Sequence, residues 1–271
     1  MKQVQGRVAV VTGGASGIGR ALSLELARAG AHIAIADIDE ASMAATAGEV
    51  RALGVQASTH RIDVSKREDI ERLRDEVLAA HGTVHILINN AGITLYGSIE
   101  NTTPQAIDRQ LGINLMGVIY GVQTFLPVLR EQDEAHIVNM SSMAAISGIP
   151  MQSIYCASKA AVRAFSESLS AEMCGTQVGV TWVMPGAVRT SLLDKAGDSN
   201  KAVTDKLSSL LKKYAYKPER LAKHVLANIK SKGGELRLTM ECEVFYTMNR
   251  TAPGLLRASM RGAQRLANRF E

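Results

Sequence analysis

Aromatic residues are scarce in this chain, 4% of 271 positions with a single tryptophan. A surface that stacks nucleic-acid bases wants aromatics interleaved with a basic field, so generic nucleic-acid binding is not expected. Cysteine is equally thin. Cys156, Cys174 and Cys242 are an odd number at unrelated spacings, which excludes a disulfide framework and points to a reduced, cytoplasmic protein. No apolar run approaches the roughly 18 residues of a membrane span. The opening Met-Lys-Gln-Val does not read as a signal peptide. His32, His60, His81, His85, His136 and His224 are scattered without metal-ligand spacing. His81 and His85 lie four apart but straddle Gly82, where a helix should end, so no metal is expected.

Charge is also missing from most of the chain. The net charge is +5, but five arginines and one glutamate lie from Arg250 onward, leaving 26 basic against 25 acidic residues before it. The body is neutral and the basicity belongs to the tail. What is plentiful is small aliphatic sequence. Apolar residues make up 46% of the chain, enough for a sizeable core, and the Ala, Val, Ile, Leu and Gly content suits helices packed closely on a parallel sheet.

The periodicity bears this out. Val8 to Val11 is a continuous apolar run, as a strand covered on both faces requires. Similar runs follow at His32–Ala36, Val55–Ile62, Val84–Ile88, Ala135–Met140 and Val178–Met184. Helical patterns separate them at about 39–53, 66–81, 103–130 and 151–174, after a first one closed by Gly30. This alternation predicts an α/β fold, a single doubly wound parallel sheet with helices on both faces, over residues 1–249. Ligands of such sheets bind beyond the carboxyl ends of the strands. Gly13, Asp37, Asp63, Asn90, Ser142 and Pro185 each follow a different strand.

Gly13-x3-Gly17-x-Gly19 comes directly after a strand and opens a helix. Glycines there let backbone approach a pyrophosphate, with Ser16, Gly17, Ile18 and Gly19 at a helix N-terminus whose N–H groups attract anions. Asp37 fits the acid that hydrogen-bonds an adenosine ribose, and it would repel a 2′-phosphate, which favours NAD over NADP. It could instead cap the next helix, though Asp39 can fill that role. Asp63-Val64 could clamp an adenine edge or be an ordinary turn. Asn90 ends an apolar strand, where its amide could serve a cofactor or the turn itself. Asn114 falls inside a predicted helix, a poor place for asparagine. Tyr155 and Lys159 lie one helical turn apart, and an adjacent ammonium is expected to lower the phenol pKa by roughly 2–3 units.

Together T-G-x3-G-x-G, Asn-Asn-Ala-Gly (89–92), Ser142, Tyr155-x3-Lys159 and Pro-Gly-x-Val-x-Thr (185–190) resemble the short-chain dehydrogenase/reductase family, over roughly residues 5–235. The resemblance implies an oxidoreductase acting on CH–OH donors with Tyr155 as acid/base. Lys159 would lower its pKa and bond the nicotinamide ribose. Ser142 would orient the substrate oxygen, and Asn114 would anchor a water in a proton relay. Val188 and Thr190 would hold the nicotinamide carboxamide. The family's pairing surface would fall at about 103–130 and 151–174, implying a homodimer or homotetramer.

Substrate choice should lie in Ile93–Gly97, Met143–Met151 and a lid over 187–217. Met140, Met143, Met151 and Met184 suggest an adaptable apolar wall, hence a fairly apolar secondary alcohol or ketone, although several could be core residues. From residue 250 to 271 the chain reads as a basic amphipathic extension. Arg257, Arg261, Arg265 and Arg269 recur every four residues, beside Leu256, Met260, Ala263 and Leu266. Such a helix can touch an anionic membrane peripherally, or pack on its own body or a partner subunit. Two rival readings are an NADP-preferring carbonyl reductase and a non-catalytic dinucleotide sensor.

Overall fold

The computed structural model describes residues 1–190 and 215–267. Most of the expected lid therefore lies outside the described residues, as do Arg269 and the side chains of Ala263 and Leu266. Seven strands form one sheet: β1 (Val8–Thr12), β2 (His32–Asp37), β3 (Ala57–Arg61), β4 (Ile86–Asn89), β5 (Ala135–Met140), β6 (Val178–Pro185) and β7 (Glu235–Leu238). Their order is β3-β2-β1-β4-β5-β6-β7, and every pairing is parallel. β7 was not expected from the sequence. It has only four residues, Glu-Leu-Arg-Leu, whose charges break the apolar run that marks the other strands.

The continuous apolar strands follow from burial on both faces. Ala9, Val11, Ile33 and Ile35 point into one core layer. There they meet Leu22 and Leu26 of α1 (Gly17–Arg28), Met43 and Val50 of α2 (Glu40–Arg51), and Leu221, Val225 and Ile229 of α7 (Pro218–Ser231). Val8, Val10, Ala34 and Ala36 point the other way. They meet Ile70, Leu73 and Val77 of α3 (Arg67–His81), Phe125 and Leu129 of α5 (Gly117–Arg130), and Leu169 of α6 (Ser153–Glu172).

The helix expected over 103–130 is not uniform. α4 (Pro104–Leu111) passes through a π-helical turn, Gly112–Met116, into α5. Taken as one 27-residue stretch it is apolar enough to cross a membrane by length and composition, which the search for apolar runs missed because polar residues interrupt it. Val122, Phe125 and Leu129 instead pack it against the sheet.

At the carboxyl end, α8 (Met240–Thr251) and α9 (Pro253–Ala267) follow β7. Leu256 is 1% exposed and packs inward, while Leu255, Arg257, Arg261 and Arg265 are exposed.

Candidate active site

The chain runs outward from β1 to β3 and returns past β1 to start β4, so the connections diverge between β1 and β4. That divergence opens a crevice at the strands' carboxyl ends. Two turns meet there. Thr12 Oγ1 accepts from the N–H groups of Asn90 (3.0 Å) and Ala91 (3.2 Å). Asn90 Nδ2 donates back to the carbonyls of Thr12 (2.9 Å) and Gly13 (3.1 Å). Asn90 is thus a brace between the strand ends.

The glycines leave a cradle that side chains would fill. Gly13 and Gly17 have φ of +63° and +52°. A Cβ on Gly19 would stand 2.1 Å from the Gly13 carbonyl oxygen. At the head of α1, Ser16 is exposed and its side chain makes no capping bond, which leaves the first N–H groups to other acceptors. Ile18 is half-buried on the core. Asp37 is aimed at this turn. Its Oδ2 accepts from Ala15 N–H (3.1 Å) and its Oδ1 from Ile38 N–H (2.8 Å). Asp39, not Asp37, caps α2 by accepting from Ser42 N–H at 3.0 Å. A narrow glycine-lined turn, a helix N-terminus and a carboxylate beside it fit a dinucleotide.

Asp63 is a turn residue here: its Oδ1 accepts from Ser65 N–H (3.0 Å) and Ser65 Oγ–H (2.7 Å). Val64 is buried beside it. Val188 is half-buried and bridges to Tyr216, and Thr190 lies against Gly17, 3.2 Å from where a Cβ there would be.

Further along the crevice, α6 presents Tyr155 and Lys159 on successive turns. Ser142 stands beside the Tyr155 hydroxyl and acts to lower its pKa, and its Oγ accepts from Ala144 N–H at 3.1 Å. Lys159 is 5% exposed, and its Nζ donates to the Met140 carbonyl (2.9 Å) and stands 5.8 Å from the Tyr155 ring centre. Burial lowers the lysine pKa to about 8. Burial also raises the Tyr155 pKa, against a lowering by Ser142. This corrects the expectation that the ammonium pulls the phenol down. Desolvation penalises both charged forms, and for the half-buried phenol it is the largest influence on the pKa.

Asn114 is fully buried in the π-helical turn. Its Oδ1 accepts from Ile93 N–H (2.8 Å), and its Nδ2 donates to the Ile93 carbonyl (2.8 Å) and to Ser158 Oγ (3.2 Å). The amide that looked misplaced in a helix braces the loop after β4 against α6. The sequence reading missed three contributors: Thr12, Ser158, and Ser141, whose Oγ donates to the Lys159 carbonyl at 2.8 Å. Each sits inside or next to a recognised motif, but hydroxyls spaced this way carry no pattern of their own.

Of the four methionines, Met140 and Met184 are core residues. Met143 and Met151 are half-buried, and Met151 has a left-handed φ of 63°.

Residues 7–201 match the family described as short chain dehydrogenase. The chain belongs to the short-chain dehydrogenase/reductase family. Among its relatives is a Mycobacterium tuberculosis protein named probable oxidoreductase EphD, 37% identical over 263 residues. That match covers 93% of this chain and 44% of EphD, so the chain spans less than half of that relative's length. Among solved structures, a Burkholderia phymatum short-chain dehydrogenase/reductase in complex with NAD superposes with a TM-score of 0.88 at 29% identity, covering 94% of this chain and 97% of its own. An alcohol dehydrogenase from Thermococcus sibiricus, complexed with 5-hydroxy-NADP, gives 0.75 at 27% identity, covering 86% and 95%.

Proposed function

We propose that this short-chain dehydrogenase/reductase is an oxidoreductase that interconverts a fairly apolar secondary alcohol and its ketone with NAD(H). The observation that carries the reading is the Ser142–Tyr155–Lys159 group in the crevice that the glycine turn of β1 opens. Gly13, Gly17, Gly19 and the head of α1 would hold the pyrophosphate, and Asp37 the adenosine ribose. Val188 and Thr190, which follow β6, would bind the nicotinamide amide, with Thr190 lying against Gly17. When bound, the nicotinamide supplies hydride acceptance and donation.

The protein's own work is proton transfer and positioning. Tyr155 Oη takes the alcohol proton in oxidation and returns it in reduction. Ser142 stands beside that hydroxyl, so a substrate oxygen reaching both would be fixed between them. Lys159, with its pKa near 8, exchanges protons readily at working pH and can pass them on behind the tyrosine. Asn114 holds the loop after β4 at the mouth of the site.

NAD is favoured because the Asp37 carboxylate would face a 2′-phosphate, and neither Ser16 nor Ile38 beside it carries a compensating cation. The substrate is read as apolar from Met143 and Met151. Homo-oligomerisation rests on the family resemblance, with half-buried Ile107, Leu111 and Ile119 along α4 and α5 as the apolar side chains a partner could cover.

The test is a panel of secondary alcohols and ketones assayed with NAD(H) and NADP(H), followed by dinucleotide absorbance. Turnover of alkyl or aryl secondary alcohols, tenfold or more better with NAD, is expected. Turnover confined to polyols, or a preference for NADP, would overturn the corresponding half of the reading.

A further inference from the structure

Basicity in this chain is gathered in one place. From residue 244 to 270 there are five arginines and no aspartate, glutamate or lysine, while the body before Arg250 is close to neutral. Arg257, Arg261 and Arg265 all lie on α9 and are exposed. None of the three forms an ion pair among the described residues. The acids nearest in sequence are engaged elsewhere. Glu241 Oε1 accepts from Ala187 N–H at 3.3 Å, and Glu243 Oε1 from Arg237 Nε at 2.9 Å. Like charges four residues apart on a helix repel one another, so an anionic surface laid against this row would stabilise it.

The rest of the helix decides what kind of partner fits. With about 3.6 residues per turn, Arg257, Arg261 and Arg265 fall within roughly 80° of one another, and Ala258, Gly262 and Leu255 occupy roughly the next 80°. Leu256 and Met260 lie on the opposite side, where Leu256 is buried, so α9 is fixed to the body with its basic and small-residue sectors outward. Leu255 is 67% exposed. On α8, Met240 and Val244 are exposed one turn apart, so half of the six large apolar side chains exposed among the described residues belong to these two helices. An exposed leucine beside an unpaired cationic row suits a helix that lies in a headgroup layer. The phosphates of a nucleic-acid duplex would satisfy the arginines but leave Leu255 in water. Ala258 and Gly262 lack the hydrogen-bonding side chains that would select a particular acidic peptide.

We propose that α9 is a peripheral docking surface for an anionic phospholipid bilayer. The guanidinium groups bond headgroup phosphates through their forked N–H donors, while their alkyl stems lie along the boundary. Leu255 enters the acyl edge beside them. Ala258 and Gly262, being small, let the helix backbone approach the headgroups. The contact is reversible, because each arginine near such a surface adds only about fivefold to partitioning and salt screens it. None of this uses the catalytic reading, so the two stand or fall separately.

The test is co-flotation of the full chain with phosphatidylcholine vesicles containing about 30% phosphatidylglycerol, in about 0.1 M NaCl. Partitioning is expected to exceed that on pure phosphatidylcholine by about tenfold or more, and to be lost at about 0.5 M NaCl. The triple variant Arg257→Gln, Arg261→Gln, Arg265→Gln should lower it by about tenfold or more. The control Lys2→Gln, Lys223→Gln, Lys230→Gln removes the same charge from exposed positions of the body and should stay within about twofold of the parent. Leu255→Ser should weaken vesicle binding by about threefold or more, and leave binding to a short DNA duplex, read by fluorescence anisotropy, unchanged. No flotation, or equal loss in the two triple variants, overturns the proposal. A duplex bound at least as tightly as the vesicles, per mole of accessible phosphate, also overturns it and makes the row a nucleic-acid contact. A changed sedimentation mass in the arginine variant overturns it in favour of an interface between copies of this chain.

Discussion

Lys159 is buried in the crevice and Tyr155 half-buried one turn before it, and their environment governs what each can do. Burial holds the Tyr155 phenol above its ordinary pKa, with Ser142 pulling against it. Alcohol oxidation needs the phenolate, so kcat/KM for oxidation, which reports the free enzyme, should keep rising above pH 9 and not level off near neutrality. A plateau by pH 7.5 would show the phenol already ionised. Lys159 titrates at about 8 when folded against 10.5 as an ordinary lysine. Between those values the unfolded chain holds the extra proton, so stability rises with pH through that window, and below it the full cost of burying the charge is present. Lys159→Met should therefore raise Tm at pH 7, by about 2–4 °C for each kcal/mol recovered, while turnover collapses. The gain should shrink toward pH 10; thermal melts across pH 6–10 check it. The Tyr–Lys pair was legible from its spacing alone. Its electrostatics were not, because a four-residue spacing says nothing of how dry the surroundings are.

Among the elements, the turn from β1 into α1 carries the cofactor reading. A Cβ at position 19 would collide with the Gly13 carbonyl, which neither backbone segment can avoid by rotating a side chain. Gly19→Ala should therefore weaken NADH binding at least tenfold and lower stability by about 1–3 kcal/mol, measured by fluorescence titration and urea unfolding. Unchanged affinity would mean that the turn does not seat the dinucleotide. This turn could be read from sequence because glycine spacing encodes backbone geometry directly. Other elements were hidden for physical reasons. β7 is too short and too charged to stand out as a strand. The π-helical turn around Asn114 is a one-residue adjustment that helical periodicity does not register, yet it is what turns that amide toward Ile93 and Ser158. At Asp63, which reads equally as an adenine clamp or a turn residue, one carboxylate oxygen is engaged by its own turn.

Over the whole molecule, the parallel order β3-β2-β1-β4-β5-β6-β7 brings residues as distant as Gly13, Asn90, Ser142 and Thr190 to one crevice. Alternating apolar strands and helices made that architecture legible, since burial on both faces leaves a plain signature. The packing that supports it is separable from the chemistry. Leu221 on α7 is fully buried in the layer it shares with α1. Leu221→Ala should cost about 2–5 kcal/mol in urea unfolding and leave kcat unaltered at 25 °C. A loss of kcat with no loss of stability would show that this layer does more than hold the sheet. The central claim, that the Tyr155 phenol moves the substrate proton beside a bound dinucleotide, is tested most directly by Tyr155→Phe. The variant should bind NADH within about twofold of the parent by fluorescence titration, while its turnover of the best alcohol falls by about 10²–10⁴-fold. Turnover within tenfold of the parent, with NADH binding intact, would contradict the account.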